Sequence, residues 1–331
     1  MICPPKYFLF LLLFLVGCDS YTPISFDELR SSLQMNNSVL DGTVIEPDKL
    51  TLPFSEAYLK QRHFLYERAD ITSFDVSQQS ELAYLKIQER YPERFLPWPA
   101  QTNILRNLTT KNASVEHWST FVVQRLSDAK ESKILLSRYE RNTLSGYIEE
   151  ASDEANELKA YLAQYKPRTR LGLYQHPNGK EWYQSKLNYY YGISKSPNET
   201  LNQIQKELAS LGKKGSLALS VPDTNHFALS YLKVHCDLVQ GLNWVDSYVN
   251  LPATAKQCIA SHKSEITRLL LSLMEIDIGL HYQGWSEQQA RVTLQARVRM
   301  TDFDANKFVA GTVLYPATVF SLMPFIVFNS L

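Results

Sequence analysis

Cysteine is scarce in this sequence. The 331 residues hold four, at Cys3, Cys18, Cys236 and Cys258, and no two form a C-x2-C pair. That spacing argues against a cysteine-built metal centre. Net charge is missing as well, because 34 basic residues balance 34 acidic ones. The balance gives no electrostatic pull toward nucleic acid or an anionic membrane. Loops that mark common chemistries are absent, with no G-x-S-x-G, no Walker A loop and no G-x-G-x-x-G. Paired histidines are absent too. Zinc hydrolases set two histidines four apart, so that both imidazoles leave one helix face. The seven here are His63, His117, His176, His226, His235, His262 and His281, and no two stand three or four apart. His226 and His235 are nine apart, which points them to opposite faces of a continuous helix. Each lone histidine therefore reads as a surface or hydrogen-bonded structural residue. No internal repeat or low-complexity tract occurs.

Apolar residues are plentiful, at 44%, with 19 Tyr, 15 Phe and 5 Trp. That is ample for a well-packed core. The first 17 residues read as an address. Lys6 precedes an apolar run, Tyr7 to Val16, too short to span a bilayer comfortably. "LVGC", Leu15 to Cys18, then resembles the bacterial lipobox. The resemblance implies cleavage before Cys18 and acyl chains on that residue, each buried CH2 adding about 0.8 kcal/mol to membrane anchoring. The protein would face the periplasm, and Asp19 resembles an inner-membrane retention signal. The remaining Cys236 and Cys258 are either a disulfide or two buried thiols.

Residues 18–25 read as a tether and residues 26–331 as one domain, with a first helix from about Phe26 to Leu33. Leu144, Tyr147, Ile148, Ala151, Ala155, Leu158 and Leu162 fall on one stripe of a long helix. Leu201, Ile204, Leu208 and Leu211 mark another. Ser196, Pro197 and Glu199 spell its capping box, and Gly212 its stop. A third stripe runs through Ile266, Leu269, Leu270, Leu273, Ile276 and Leu280. Only "SLALSV", Ser216 to Val221, alternates like a strand. The fold class is mostly α, a multi-helix single domain with at most a short strand or hairpin near 216–221. Pro316 and Pro324 interrupt the apolar stretch from Val313 to Leu331, which reads as core-packing helix and strand and not as a membrane span.

Two separated segments resemble the bacterial DUF885 family. The first has Gly172, Pro177, Gly179, Tyr183 and the Ser196–Pro197 helix start. The second has Asp277, Gly279, His281, Gly284, Trp285, Ser286, Gln289 and Ala290. The resemblance implies a helical zinc-peptidase-like fold with an H-E-x-x-P-G-H-H-like helix. This chain departs from that pattern. "DTNHFALSYLKVH", Asp223 to His235, has no Glu after His226 and no paired histidines. Gln240 stands where the family has a glutamate. Near the end, Leu322 and Met323 in "PATVFSLM" replace a polar Tyr-Lys pair.

Asp277 and His281 are four apart on one helix, so their side chains are expected to meet. The carboxylate would fix the imidazole tautomer, either supporting a site or satisfying a buried polar pocket. Gly284 would end that helix, with Ser286 and Gln289 capping the next. The structural role is the expectation. The function expected is a non-catalytic binding or scaffolding lipoprotein without cofactor, with the membrane and a peptide-like ligand as partners. The alternative is a hydrolase with an unorthodox site around His281 and Asp277, taking zinc with His226 and His235.

Overall fold

The computed structural model describes residues 21–41, 55–90, 115–149, 155–191, 194–212, 215–216, 257, 263–323 and 326. Within them the fold is mostly α, a multi-helix assembly. Three helices form an N-terminal layer: α1 (Phe26–Asp41), α2 (Glu56–Glu67) and α3 (Val76–Arg90). A second group comprises α4 (Val115–Glu131), α5 (Arg138–Glu149) and α6 (Asn156–Gln164). The remainder comprises α7 (Gly179–Tyr191), α8 (Pro197–Ser210), α9 (Lys263–Ile278), α10 (Glu287–Arg297) and α11 (Asp302–Leu314).

Each group has its own core. Ile24, Phe26, Leu29, Leu33, Tyr66, Phe74, Leu82 and Leu85 make the first. Trp118, Val122, Leu126, Leu144, Ile148, Leu158 and Leu162 belong to the second. The third and largest surrounds α9, and α3 joins the first group to it through α7, as α5 joins the second through α11.

The 266–280 stripe is wider than the sequence periodicity suggests. Every residue from Ile266 to His281 is buried, so from Ile266 on α9 is a central helix with no solvent face. Its buried charges are consequently partnered. Arg268 donates to the carbonyls of Leu211 and Gly212 at 2.7 and 3.3 Å, capping the end of α8. Glu275 accepts both arms of Arg297, at 2.9 and 3.0 Å, and the Gln205 amide at 3.0 Å.

Local punctuation follows the sequence. Ser196 and Glu199 form a capping box with Pro197 in the first turn, and Ser286 and Gln289 form another. Gly212 takes φ +70° after α8. One expectation is corrected. The single long helix over 144–162 is two helices, α5 and α6, packed on each other; the same stripe still faces inward because both bury into one core. The expected short strand near 216 is present at Gly215–Ser216, paired in parallel with Val298–Arg299, a partner the alternation did not reveal, and residues 217–221 lie outside the described residues. The apolar C-terminal stretch packs into the core as expected, through the end of α11 and a 3-10 turn, Thr318–Leu322, whose Val319, Phe320 and Leu322 are buried; residues 324–325 and 327–331 lie outside the described residues. Among the described residues no helix is long and apolar enough to cross a membrane.

The start of the described chain is docked rather than loose. The Ile24 amide donates to the Arg68 carbonyl at 2.8 Å, and the Asp70 amide to the Ile24 carbonyl at 3.1 Å. A parallel bridge joins Ile24 to Ala69 just beyond α2. Ile24 buries its side chain in the first core, so the segment read as tether is already held from Tyr21.

Candidate functional site

Three stretches converge beside α9: residues 171–183, 277–285 and 312–320. Glycine makes the approach possible. A Cβ on Gly172 would stand 1.8 Å from the Leu280 carbonyl oxygen, and one on Gly279 would stand 2.2 Å from the Trp285 ring. No larger residue fits either position without moving main chain or indole. After Ile278 the helix widens into a π turn, Gly279–Gln283, closed by Gly284 at φ +80°. The expected helix stop at Gly284 is therefore present, with Trp285 folded back over Gly279.

His281 lies at the centre and is fully buried. Its Nδ1 accepts the Leu173 amide at 3.1 Å, and its Nε2 lies 3.1 Å from the Thr312 carbonyl oxygen. An N–H can be received only by a bare nitrogen, and a carbonyl only by a protonated one. The ring is thus the neutral tautomer with its proton on Nε2. Burial pushes the imidazole down to about 3, chiefly because no water is left to solvate a cation. The Tyr183 ring stacks on it at 5.6 Å.

Asp277 is also buried. It accepts the Tyr183 hydroxyl and the Ala317 amide, the latter at 3.1 Å from each carboxylate oxygen. Burial pushes its carboxyl up to about 7, against the opposite pull of those two donors. Ala317 is held at φ +65°, a left-handed conformation unusual for a residue with a Cβ. The carboxylate is one anchor of that bend.

The expected contact between Asp277 and His281 does not form. Each hydrogen-bonds to a different remote partner. The reason is local: the four-residue spacing assumes an unbroken α-helix, and the π turn starting at Gly279 takes His281 off that row.

The surroundings are structural as well. Arg168 donates to the Leu171 carbonyl at 2.7 Å and pairs with Glu140 at 2.6 Å, tying the 168–175 segment to the start of α5. The Arg168 guanidinium, with the Ser137 amide and hydroxyl, outweighs burial and holds the Glu140 carboxyl below its usual value. Glu287, in the first turn of α10, accepts the Tyr139 hydroxyl and pairs with Arg138. Sequence reasoning missed the Arg168–Glu140, Arg138–Glu287 and Tyr139–Glu287 pairs because each joins residues far apart in the chain. Phe320, Leu322 and Met323, from the segment that departs from the family pattern, are buried in the same core.

The donor set does not suit a metal. Zinc needs an imidazole lone pair, and that of His281 already receives the Leu173 amide. Among the described residues no three His, Cys, Asp or Glu side chains gather as a metal site. His63 and His117 are exposed on α2 and α4, and His176 is buried beside Trp182. His226, His235, Cys236 and Cys258 lie outside the described residues, as does Cys18. A cleft of about 410 Å³ between α2 and α4, lined by Leu59, Lys60, Phe121 and Arg125, does not include Asp277 or His281. No family model matches the chain, and no curated protein or solved structure is significantly similar to it.

Proposed function

We propose that this chain is a lipid-anchored, periplasm-facing lipoprotein that binds or scaffolds without catalysis, a degenerate relative of the DUF885 family. One observation carries the non-catalytic part: both ring nitrogens of His281 are engaged by main chain in a fully buried site. A general base needs a free lone pair within reach of substrate, and a zinc ligand needs the same lone pair. The kinship is supported by how the quoted residues are used. Gly172, Tyr183, Asp277, Gly279, His281, Gly284 and Trp285 come from two distant segments and interlock around one point. The anchor rests on the lipobox resemblance at Leu15–Cys18, and a peptide-like molecule is the ligand class the kinship suggests.

Metal content tests the reading against the zinc hydrolase. The purified lipidated chain is expected to hold well under one zinc per molecule, and His281→Ala to leave that value unchanged. Stoichiometric zinc that disappears on His281→Ala, with the helical circular dichroism preserved, sinks the non-catalytic reading.

A further inference from the structure

The docked start of the chain determines how the body meets its membrane. Tyr21 is half exposed, and its ring sits edge-on to Phe64 at 4.8 Å. Phe64 is exposed on α2, and Ile71 is exposed just beyond the Ile24–Ala69 bridge. Tyr21 and Phe64 thus touch at the point where the chain enters the fold, and Ile71 follows Asp70, whose amide holds Ile24 there. Lys60 and Arg68 stand one turn before and one turn after Phe64. The Arg68 guanidinium lies 5.5 Å from the Phe64 ring and donates to the Thr22 carbonyl at 3.2 Å. Glu56 pairs with Lys60 on the same helix, so charge alone does not define the patch.

Cys18 precedes Tyr21 by three residues, at most about 11 Å of extended chain. A body held at Tyr21 cannot stand off farther than that from the acyl chains on Cys18. We propose that the Tyr21–Phe64–Ile71 face lies against the bilayer surface that holds the Cys18 lipid, a proposal that rests on the lipoprotein reading above. Aromatic rings with basic neighbours suit the headgroup region, where the ring enters the interface and the cation stays in water. The patch need not bind membranes strongly by itself. The tether keeps it at high local concentration beside the lipid, so a weak contact suffices to orient the body.

Site-specific photocrosslinking tests the proposal. Benzoylphenylalanine replaces Phe64, Ile71 or, as a control, the exposed Phe303 of α11, each in the full lipidated chain. The protein is reconstituted into vesicles of phosphatidylethanolamine and phosphatidylglycerol carrying tritiated lipid. Label transfer at positions 64 and 71 is expected to be roughly fivefold or more above that at 303, because only the former reach the headgroups. The mass of the Cys18 peptide is measured on the same samples. An acylated Cys18 with equal transfer at all three positions overturns the membrane-facing patch and leaves the anchor standing. An unmodified Cys18 removes anchor and patch together.

Discussion

The centre of the molecule and its N-terminal layer differ in how completely they seal their polar groups. Around α9 the buried charges and amides are joined to main chain or to a fixed partner, and glycines let backbones touch. In the α1–α3 layer the core is small: Arg62 is buried between the Tyr58 and Tyr66 hydroxyls, but the ion pair Arg30–Glu81 leaves Arg30 about one third exposed, and apolar rings remain at the surface. The difference teaches that an active-site-like cluster of Asp, His and Tyr can be architecture. What distinguishes it is that each polar atom already has a partner inside the fold.

The comparison breaks first at a glycine. Gly172→Ala puts a methyl group within 1.8 Å of the Leu280 oxygen. Main chain must shift to admit it, so a loss of about 3 kcal/mol is expected in urea melts. A loss under about 0.5 kcal/mol, within the range of ordinary surface substitutions, would mean the central stretches are less tightly interlocked than described.

Next comes pH. Between about pH 4 and 6.5 the folded chain keeps a proton on Asp277 that the unfolded chain has released, so this group makes stability fall as pH rises. Over the same window the unfolded chain carries a proton on His281 that the folded chain refuses, so this group makes stability rise with pH. The two slopes oppose and nearly cancel. Asp277→Asn unmasks the histidine, and its stability should climb by about 2–3 kcal/mol from pH 4.5 to 6.5 relative to wild type, at 1.36 kcal/mol per unit. His281→Ala unmasks the carboxyl and should show the reverse slope, on top of a pH-independent loss of about 1–3 kcal/mol from the stranded Leu173 amide and Thr312 carbonyl. Denaturant melts at the two pH values measure both, and parallel profiles for the two variants would refute the assignment. The smallest effect belongs to the outer layer, where Arg30→Ala should cost about 1–2 kcal/mol, because the guanidinium is partly solvated but its loss strands the buried Glu81 carboxylate.

What the sequence revealed and what it hid divide along chain distance. The capping boxes at Ser196 and Ser286 and the stops at Gly212 and Gly284 were legible, since their chemistry is complete within four residues. Burial of the 266–280 stripe was legible from its period. The partners of Asp277 and His281 were not, because Tyr183, Leu173, Thr312 and Ala317 lie between 31 and 108 residues away. Nor does any single residue announce a π turn, which undid the four-residue spacing argument. The break between α5 and α6 was hidden for another reason: two helices folded onto one core keep the phase of a single stripe.

The Ala317 amide on Asp277 and the Thr312 carbonyl on His281 also impose an order of events. Contacts between residues so distant in sequence form slowly, since long loops must close before any reward is gained. A growing chain can assemble the α1–α3 layer once residue 90 is made, whereas α9 has no finished surroundings until residues 312–323 have followed it. Until then α9, buried from Ile266 onward in the finished fold, has α8 beside it but lacks α10, α11 and the 312–323 segment, and a chaperone has its longest opportunity there.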